Sequence, residues 1–279
     1  MKQYEVRLKE HLAKVAKLKA EGKKPPRRGP WKPKPRNQNS PSSLYNAMIA
    51  PIIPFNIKGA IWYQGESNVS RAYQYRTLFP TMITNWRNDW GVGDFPFYYV
   101  QIAPFNYRRG GQESQELREA QTLTLSLKNT GMAVISDIGN IKNIHPKNKL
   151  DVGKRLALWA LAKDYGKKDI VYSGPIYKSM KIEGNKIRIS FDHTGSGLKT
   201  MDGKEVSHLT IAGADKKFVE AKGVIKGNTL VVSADGITKP VSVRFGWSNT
   251  AEPNLANKEG LPASCFRTDD WPCASFEAR

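Results

Sequence analysis

The chain has 279 residues, of which 39% are hydrophobic and 10% aromatic, enough apolar material for a sizeable core and too much for a disordered chain. Its net charge is +19, but residues 1–36 alone hold 13 Lys and Arg against 3 Glu, so about half of the excess sits in a short N-terminal segment. The body is only mildly basic and carries no zinc-finger spacing or RNA-binding signature, so nucleic acid is not an expected partner. No apolar run is long enough to span a membrane, and the first residues lack the apolar centre of a signal peptide.

Tyr4, Leu8, Leu12, Val15 and Leu18 recur at helical spacing and predict a helix ending near Gly22, its other face rich in lysine. Residues 23–36 hold five prolines among basic side chains and read as an extended connector. Leu44–Ile53, broken by Pro51 and Pro54, reads as a short helix and a turn. Ala60–Tyr63 is the first expected strand, short and buried. Ala72–Asp89 is an expected helix with Tyr75, Leu78, Phe79, Met82 and Trp86 on its inner stripe and a kink at Pro80. Strands are expected again at Phe97–Ile102 and Met132–Ser136, with a helix over Ser114–Leu127 between them. A last helix, Lys149–Tyr165, would turn Leu150, Leu156, Ala157, Ala160 and Leu161 inward.

Alternating strands and helices predict a parallel sheet. Its carboxyl edge would carry Gln64-Gly65-Glu66, Ala103-Pro104 and Asp137. After Gly174 the pattern changes to short alternating segments, such as Lys186–Phe191, Thr229–Ser233 and Val241–Trp247, separated by glycine turns. That is the pattern of an antiparallel β region, a small sandwich. The expected division is therefore a basic arm and connector over 1–36, an α/β part over 37–174 and a β part over 175–279. The two cysteines, Cys265 and Cys273, could close a small disulfide loop or stand as free thiols.

The chemistry is expected at the end of the first strand, where an apolar run stops at glycine among Gln64, Glu66, Ser67 and Asn68; ligands of α/β proteins bind beyond the carboxyl ends of strands. Of four histidines, His145 stands in a loop at that same edge, where it can act as a general base oriented by a carboxylate. Asp137 and Glu66 compete for the orienting role. Ser67 follows a strand and precedes a helix, as a nucleophile elbow does, but Asn68 stands where that motif has its final glycine. One histidine and two carboxylates make a thin ligand set, so no metal is expected.

With these residues marked, Trp62-Tyr63-Gln64-Gly65-Glu66-Ser67-Asn68 resembles a conserved block of the sialate O-acetylesterases, carbohydrate esterases of the SGNH (GDSL-like) hydrolase superfamily. Asp137-Ile138-Gly139, Ile144-His145-Pro146-Lys147-Asn148-Lys149 and Val152–Ala157 resemble the block that carries that family's catalytic histidine. Ser173-Gly174-Pro175 and Gly260–Ser264 resemble its C-terminal part. The resemblance implies a flavodoxin-like three-layer α/β core, here incomplete, followed by a β-sandwich. It implies serine-type removal of O-acetyl groups from sugars without a cofactor, in a periplasmic or extracellular setting. In it His145 is the base, Asp137 or Glu66 its acidic partner, and Gln64, with Gly65 and Asn68 beside it, belongs to the oxyanion and substrate-binding region. Two departures stand out. The family's Gly-Gln-Ser-Asn-like serine block is absent, so the chain reads as the C-terminal portion of a longer enzyme. Relatives often carry Asp two residues before the histidine, where this chain has Asn143. The rival expectation is a non-catalytic carbohydrate-binding fragment.

Overall fold

The structure, a computed structural model, describes residues 2–31, 37–38, 40–107 and 113–277. Part of the proline-rich connector, residues 32–36, lies outside the described residues. The chain forms two units, Met1–Phe55 and Asn56–Arg279.

In the first unit, helix α1 (Lys2–Ala20) is the expected basic helix. Its half-buried stripe is Tyr4, Leu8, His11, Val15 and Leu18, whereas Leu12 is exposed. His11 takes the place expected for Leu12 because Gly29 folds against its ring: a Cβ on Gly29 would lie 3.3 Å from the imidazole. Residues Tyr45–Ile49 form one wide helical turn that tightens at Ala50–Ile52.

The second unit begins with a parallel sheet of β1 (Ala60–Trp62), β2 (Phe97–Val100) and β3 (Thr130–Ala133), in that order. Successive side chains of a strand point to opposite faces. Phe97 and Tyr99 therefore pack on Phe79 of α2 (Ala72–Trp90), with ring centroids at 6.1 and 4.9 Å. Tyr98 and Val100 face the other way, into Val152, Leu156 and Trp159 of α4 (Lys149–Lys163). With α3 (Ser114–Leu123) packed beside α2, this gives helix, sheet and helix layers.

The central strand is buried throughout, but β1 is an edge strand and Ile61 is 73% exposed. The expectation of a buried first strand holds on one face only. Trp62 stacks on Phe79 and meets Trp86 edge-on, while Ile61 points to the same face as Tyr98 but lies at the rim of α4, where Ala160 lines an open cavity with it rather than covering it. Two helix faces are also rotated from the expected ones. The core side of α2 is Ala72, Tyr75, Phe79, Ile83, Arg87 and Trp90, with Leu78 exposed, and the helix runs on through Pro80. In α4, Val152, Leu156 and Trp159 are buried, and Leu150, Ala157 and Leu161 are exposed.

The β part holds two four-stranded antiparallel sheets. One runs β4 (Ile176–Glu183), β5 (Lys186–Asp192), β10 (Thr229–Ser233), β9 (Lys222–Lys226). The other runs β13 (Phe266–Arg267), β11 (Ser242–Phe245), β7 (Leu209–Ala212), β8 (Phe218–Glu220). Strands β6 (Leu198–Thr200) and β12 (Leu255–Asn257) pair separately. Ile187, Ile189, Leu230 and Val232 from the first sheet share one core with Leu209, Ile211, Val243 and Phe245 from the second, which is the expected sandwich packing. The β part is joined to the parallel sheet through Gln101, which follows β2 and donates to the Ser264 hydroxyl at 2.8 Å. Cys265 and Cys273 are both free thiols. Among the described residues, no helix is long and apolar enough to cross a membrane.

The α4 layer lies so close to the sheet that one position tolerates only glycine. A Cβ on Gly131 would enter the Trp159 indole and come within 2.8 Å of the Tyr98 ring. Overpacking of this kind costs about 1–3 kcal/mol. Gly131→Ala is expected to lower unfolding free energy by that amount in urea titration, and an unchanged midpoint would mean that α4 is free to move off the sheet.

Candidate active site

The carboxyl ends of β1 and β2 are tied together by one buried side chain. Gln121, on α3 and fully buried, accepts from the Ile102 N–H at 2.9 Å. Its amide nitrogen donates to the Val100 carbonyl at 3.1 Å and the Gln64 carbonyl at 3.3 Å. Each of these backbone groups lies at or just past a strand end, where the ladder no longer pairs it, and a buried backbone group left unpaired is costly. At the opposite end of the sheet, buried Arg87 does similar work on the Phe95 and Asn129 carbonyls, just before β2 and β3.

Gly65 lets the chain leave β1 against α3. Its φ is 154°, and a Cβ there would lie 2.9 Å from both Ile102 and Leu117. Glycine has no Cβ penalty in this conformation. The next residues wind into a tight helical turn, Glu66–Arg71, that leads into α2. This turn carries Glu66, Ser67 and Asn68.

The amide of Gln64 is held in one orientation. Tyr75 donates its hydroxyl to Gln64 Oε1 at 2.9 Å, and Gln64 Nε2 donates to Asn68 Oδ1 at 2.7 Å. An amide nitrogen has two N–H groups, so one remains for a ligand. Burial, with the negative charge of Glu66 adding to it, raises the Tyr75 hydroxyl to about 12, so it stays a donor through the neutral range. Burial and Glu66 likewise raise Tyr63 to about 12, and push Tyr107 further still. The Tyr63 and Tyr107 hydroxyls are buried and have no hydrogen-bond partner among the described residues.

The loop after β3 brings the imidazole in. Gly139 packs against Ala103 and Pro104, and the Asn106 N–H donates to the Ile141 carbonyl at 2.9 Å, so the loops beyond β2 and β3 lie side by side. Asn143 accepts from the His145 backbone N–H at 2.9 Å and turns the chain there. Asn148 then caps α4, accepting from the Asp151 N–H at 3.1 Å.

The result is an open cavity of about 480 Å³ lined by Gln64, Glu66, Ser67 and His145, with Tyr63, Ile144 and Lys149 completing its wall. Lys149 lays its ammonium 4.4 Å from the centre of the Tyr63 ring. Gly65 and Asn68 stand behind the lining, as turn and as amide anchor. Asp137 is not in the lining. Its carboxylate takes a two-pronged bond from Arg155, both distances 2.6 Å, and Arg155 also holds the Val134 carbonyl at 2.7 Å. The structure thus gathers Gln64, Glu66 and His145, and gives Asp137 to a clamp between β3 and α4. Ser67 is exposed on the tight turn and shares the cavity with His145. The sequence reading did not anticipate Tyr75, Lys149 or Gln121 here. Tyr75 was visible only as an inward helix position, and no local pattern marks Gln121 as a strand-end tie.

The profile of a protein family described as carbohydrate esterase, sialic acid-specific acetylesterase, matches residues 28–162. Sialate O-acetylesterase from Mus musculus is 28% identical over 230 residues, covering 74% of this chain and 42% of that protein. The Homo sapiens sialate O-acetylesterase is 32% identical over 164 residues, covering 52% and 31%. Among solved structures, a carbohydrate acetylesterase from Xanthomonas citri superposes with a TM-score of 0.78 at 46% identity, covering 82% of this chain and 54% of that one. The chain thus spans less than half the length of the curated relatives it matches.

The tyrosines yield a pH prediction. In the unfolded chain they ionise near 10, whereas folded Tyr63 and Tyr75 keep their protons to about 12. The folded state therefore binds more protons between these values, and stability falls as pH rises through that window. Spectrophotometric titration of phenolate should show a late-titrating class of tyrosines, with unfolding midpoints declining above about pH 10. Titration of every tyrosine near the unperturbed value would mean that Tyr63 and Tyr75 are open to solvent.

Proposed function

We propose that the chain, whose matches are to the sialate O-acetylesterase family of carbohydrate esterases, carries the base and part of the oxyanion site for hydrolysis of O-acetyl groups on sugars. The observation that carries this reading is the convergence of Gln64, Glu66 and His145 on one cavity at the carboxyl edge of the sheet. His145 takes the proton of an attacking serine and returns it to the departing sugar hydroxyl. The free N–H of Gln64 donates to the oxyanion, its direction set by Tyr75 and Asn68. Glu66 serves as the acidic partner of His145, a role for which Asp137 is poorly placed while Arg155 occupies both of its carboxylate oxygens. Water then releases acetate from the acyl-serine.

In this scheme the nucleophile is supplied from outside these 279 residues. Two features support that. The sequence has no Gly-Gln-Ser-Asn block, and among the described residues β1 pairs only with β2 and Ile61 is exposed, leaving an edge where a further strand would complete the sheet.

The chain alone is expected to show little or no hydrolysis of p-nitrophenyl acetate. Supplying the family's serine block, fused upstream, should produce activity that His145→Ala abolishes. Gln64→Ala should cost about 2.7–4 kcal/mol of barrier, the range for loss of one oxyanion donor. Turnover by the chain alone that Ser67→Ala stops would overturn this assignment and put the nucleophile in the Glu66–Arg71 turn.

A further inference from the structure

A second cavity, of about 440 Å³, opens at the other end of the sheet, where the α/β part meets the β part. It shares no residue with the candidate active site. Clefts of this size, with flat apolar walls and a few polar groups, are the usual form of a small-molecule site.

Its apolar wall is aromatic. The ring centroids of Trp159 and Tyr172 are 4.6 Å apart, and those of Tyr172 and His193 are 5.2 Å apart. Its polar groups are a carboxylate, an amide and two ammonium groups: Asp164, Asn129, Lys128 and Lys163. Asp164 accepts from the Tyr98 hydroxyl at 2.6 Å, which leaves carboxylate lone pairs for a ligand. Lys163, though exposed, holds its ammonium 4.4 Å from the centre of the Tyr172 ring.

His193 is the feature that plain packing does not require. It is a non-glycine residue at φ 59°, a conformation that persists only when its surroundings impose it. Asn257, fully buried, donates to the Ser173 carbonyl at 3.0 Å and, at the longer distance of 3.4 Å, to the His193 carbonyl. Burial and Lys163 lower the basicity of the ring, despite the opposing charge of Asp192, so the imidazole faces the cavity neutral, with one donor and one acceptor nitrogen.

We propose that this cavity is a second carbohydrate-binding site, for a pyranose that carries a carboxylate. The aromatic wall accepts the C–H face of the ring, and Asp164, Asn129 and His193 hydrogen-bond its hydroxyls. Lys128 already pairs with Asp94 at 3.8 Å, so Lys163 is the ammonium placed to pair with an acidic substituent. Such a site anchors a glycan away from the reacting centre and does not depend on the esterase reading.

Sialyllactose and neutral lactose are the probes, titrated into the isotope-labelled chain while the amide shifts of Lys128–Thr130 and His193 are followed. Saturable shifts at these residues are expected with sialyllactose, much weaker ones with lactose, and the same binding in Gln64→Ala. Lys163→Met, a surface change whose fold is checked by melting, should weaken sialyllactose about threefold to fivefold, the range for a partly exposed ion pair. Three results would each overturn the proposal: no saturable shift at these residues, equal binding of the two sugars, or binding lost in Gln64→Ala and kept in Lys163→Met.

Discussion

One fully buried glutamine holds the candidate site together. Strand ladders satisfy backbone groups along a sheet, but at its carboxyl edge the strands diverge and the last groups lose their partners. Gln121 reaches from α3 and pairs three of them: the Val100 and Gln64 carbonyls and the Ile102 N–H. Because it bonds residues beyond both β1 and β2, it fixes the spacing of those two strand ends. The side chains of the candidate site hang from that spacing. Gly65 can pass α3 only because it has no side chain, and the turn that follows sets Glu66 and Ser67 beside the cavity.

The same economy governs charge and dipole near the cavity. Tyr75 is kept protonated by burial, so it donates to Gln64 Oε1 and leaves the amide N–H groups toward Asn68 and the cavity. Asp137 stands at an equivalent strand end, yet Arg155 draws it to the back of the sheet, where the pair joins β3 to α4. Two carboxylates at one sheet edge thus take different work, one facing the cavity and one bracing it. The clamp ties the start of the loop that carries His145 to α4.

Much of this arrangement was legible in the sequence. Apolar runs ending in glycine and polar residues marked the strand ends, and the position of His145 after the third strand followed from the parallel order. Hydrophobic periodicity was less reliable about which face turns inward. Leu78, Leu150 and Leu161 fit helical stripes but are exposed, because the larger rings of Phe79 and Trp159 set the orientation of α2 and α4 against the sheet. Partners were the hardest part. A sequence shows that Asp137 is charged, but not that Arg155, 18 residues on, captures it. Nor does it separate Gln121 from an ordinary surface glutamine, since that role exists only once β1, β2 and α3 are in place.

The claim that Gln121 ties the strand ends is tested most directly by native-state hydrogen exchange in Gln121→Leu. The Ile102 amide, which the glutamine accepts in the folded protein, should lose protection by about tenfold or more, while amides in the middle of β2 keep theirs. Equal protection of the Ile102 amide in the variant and the parent would contradict the account, as would a uniform loss across β2.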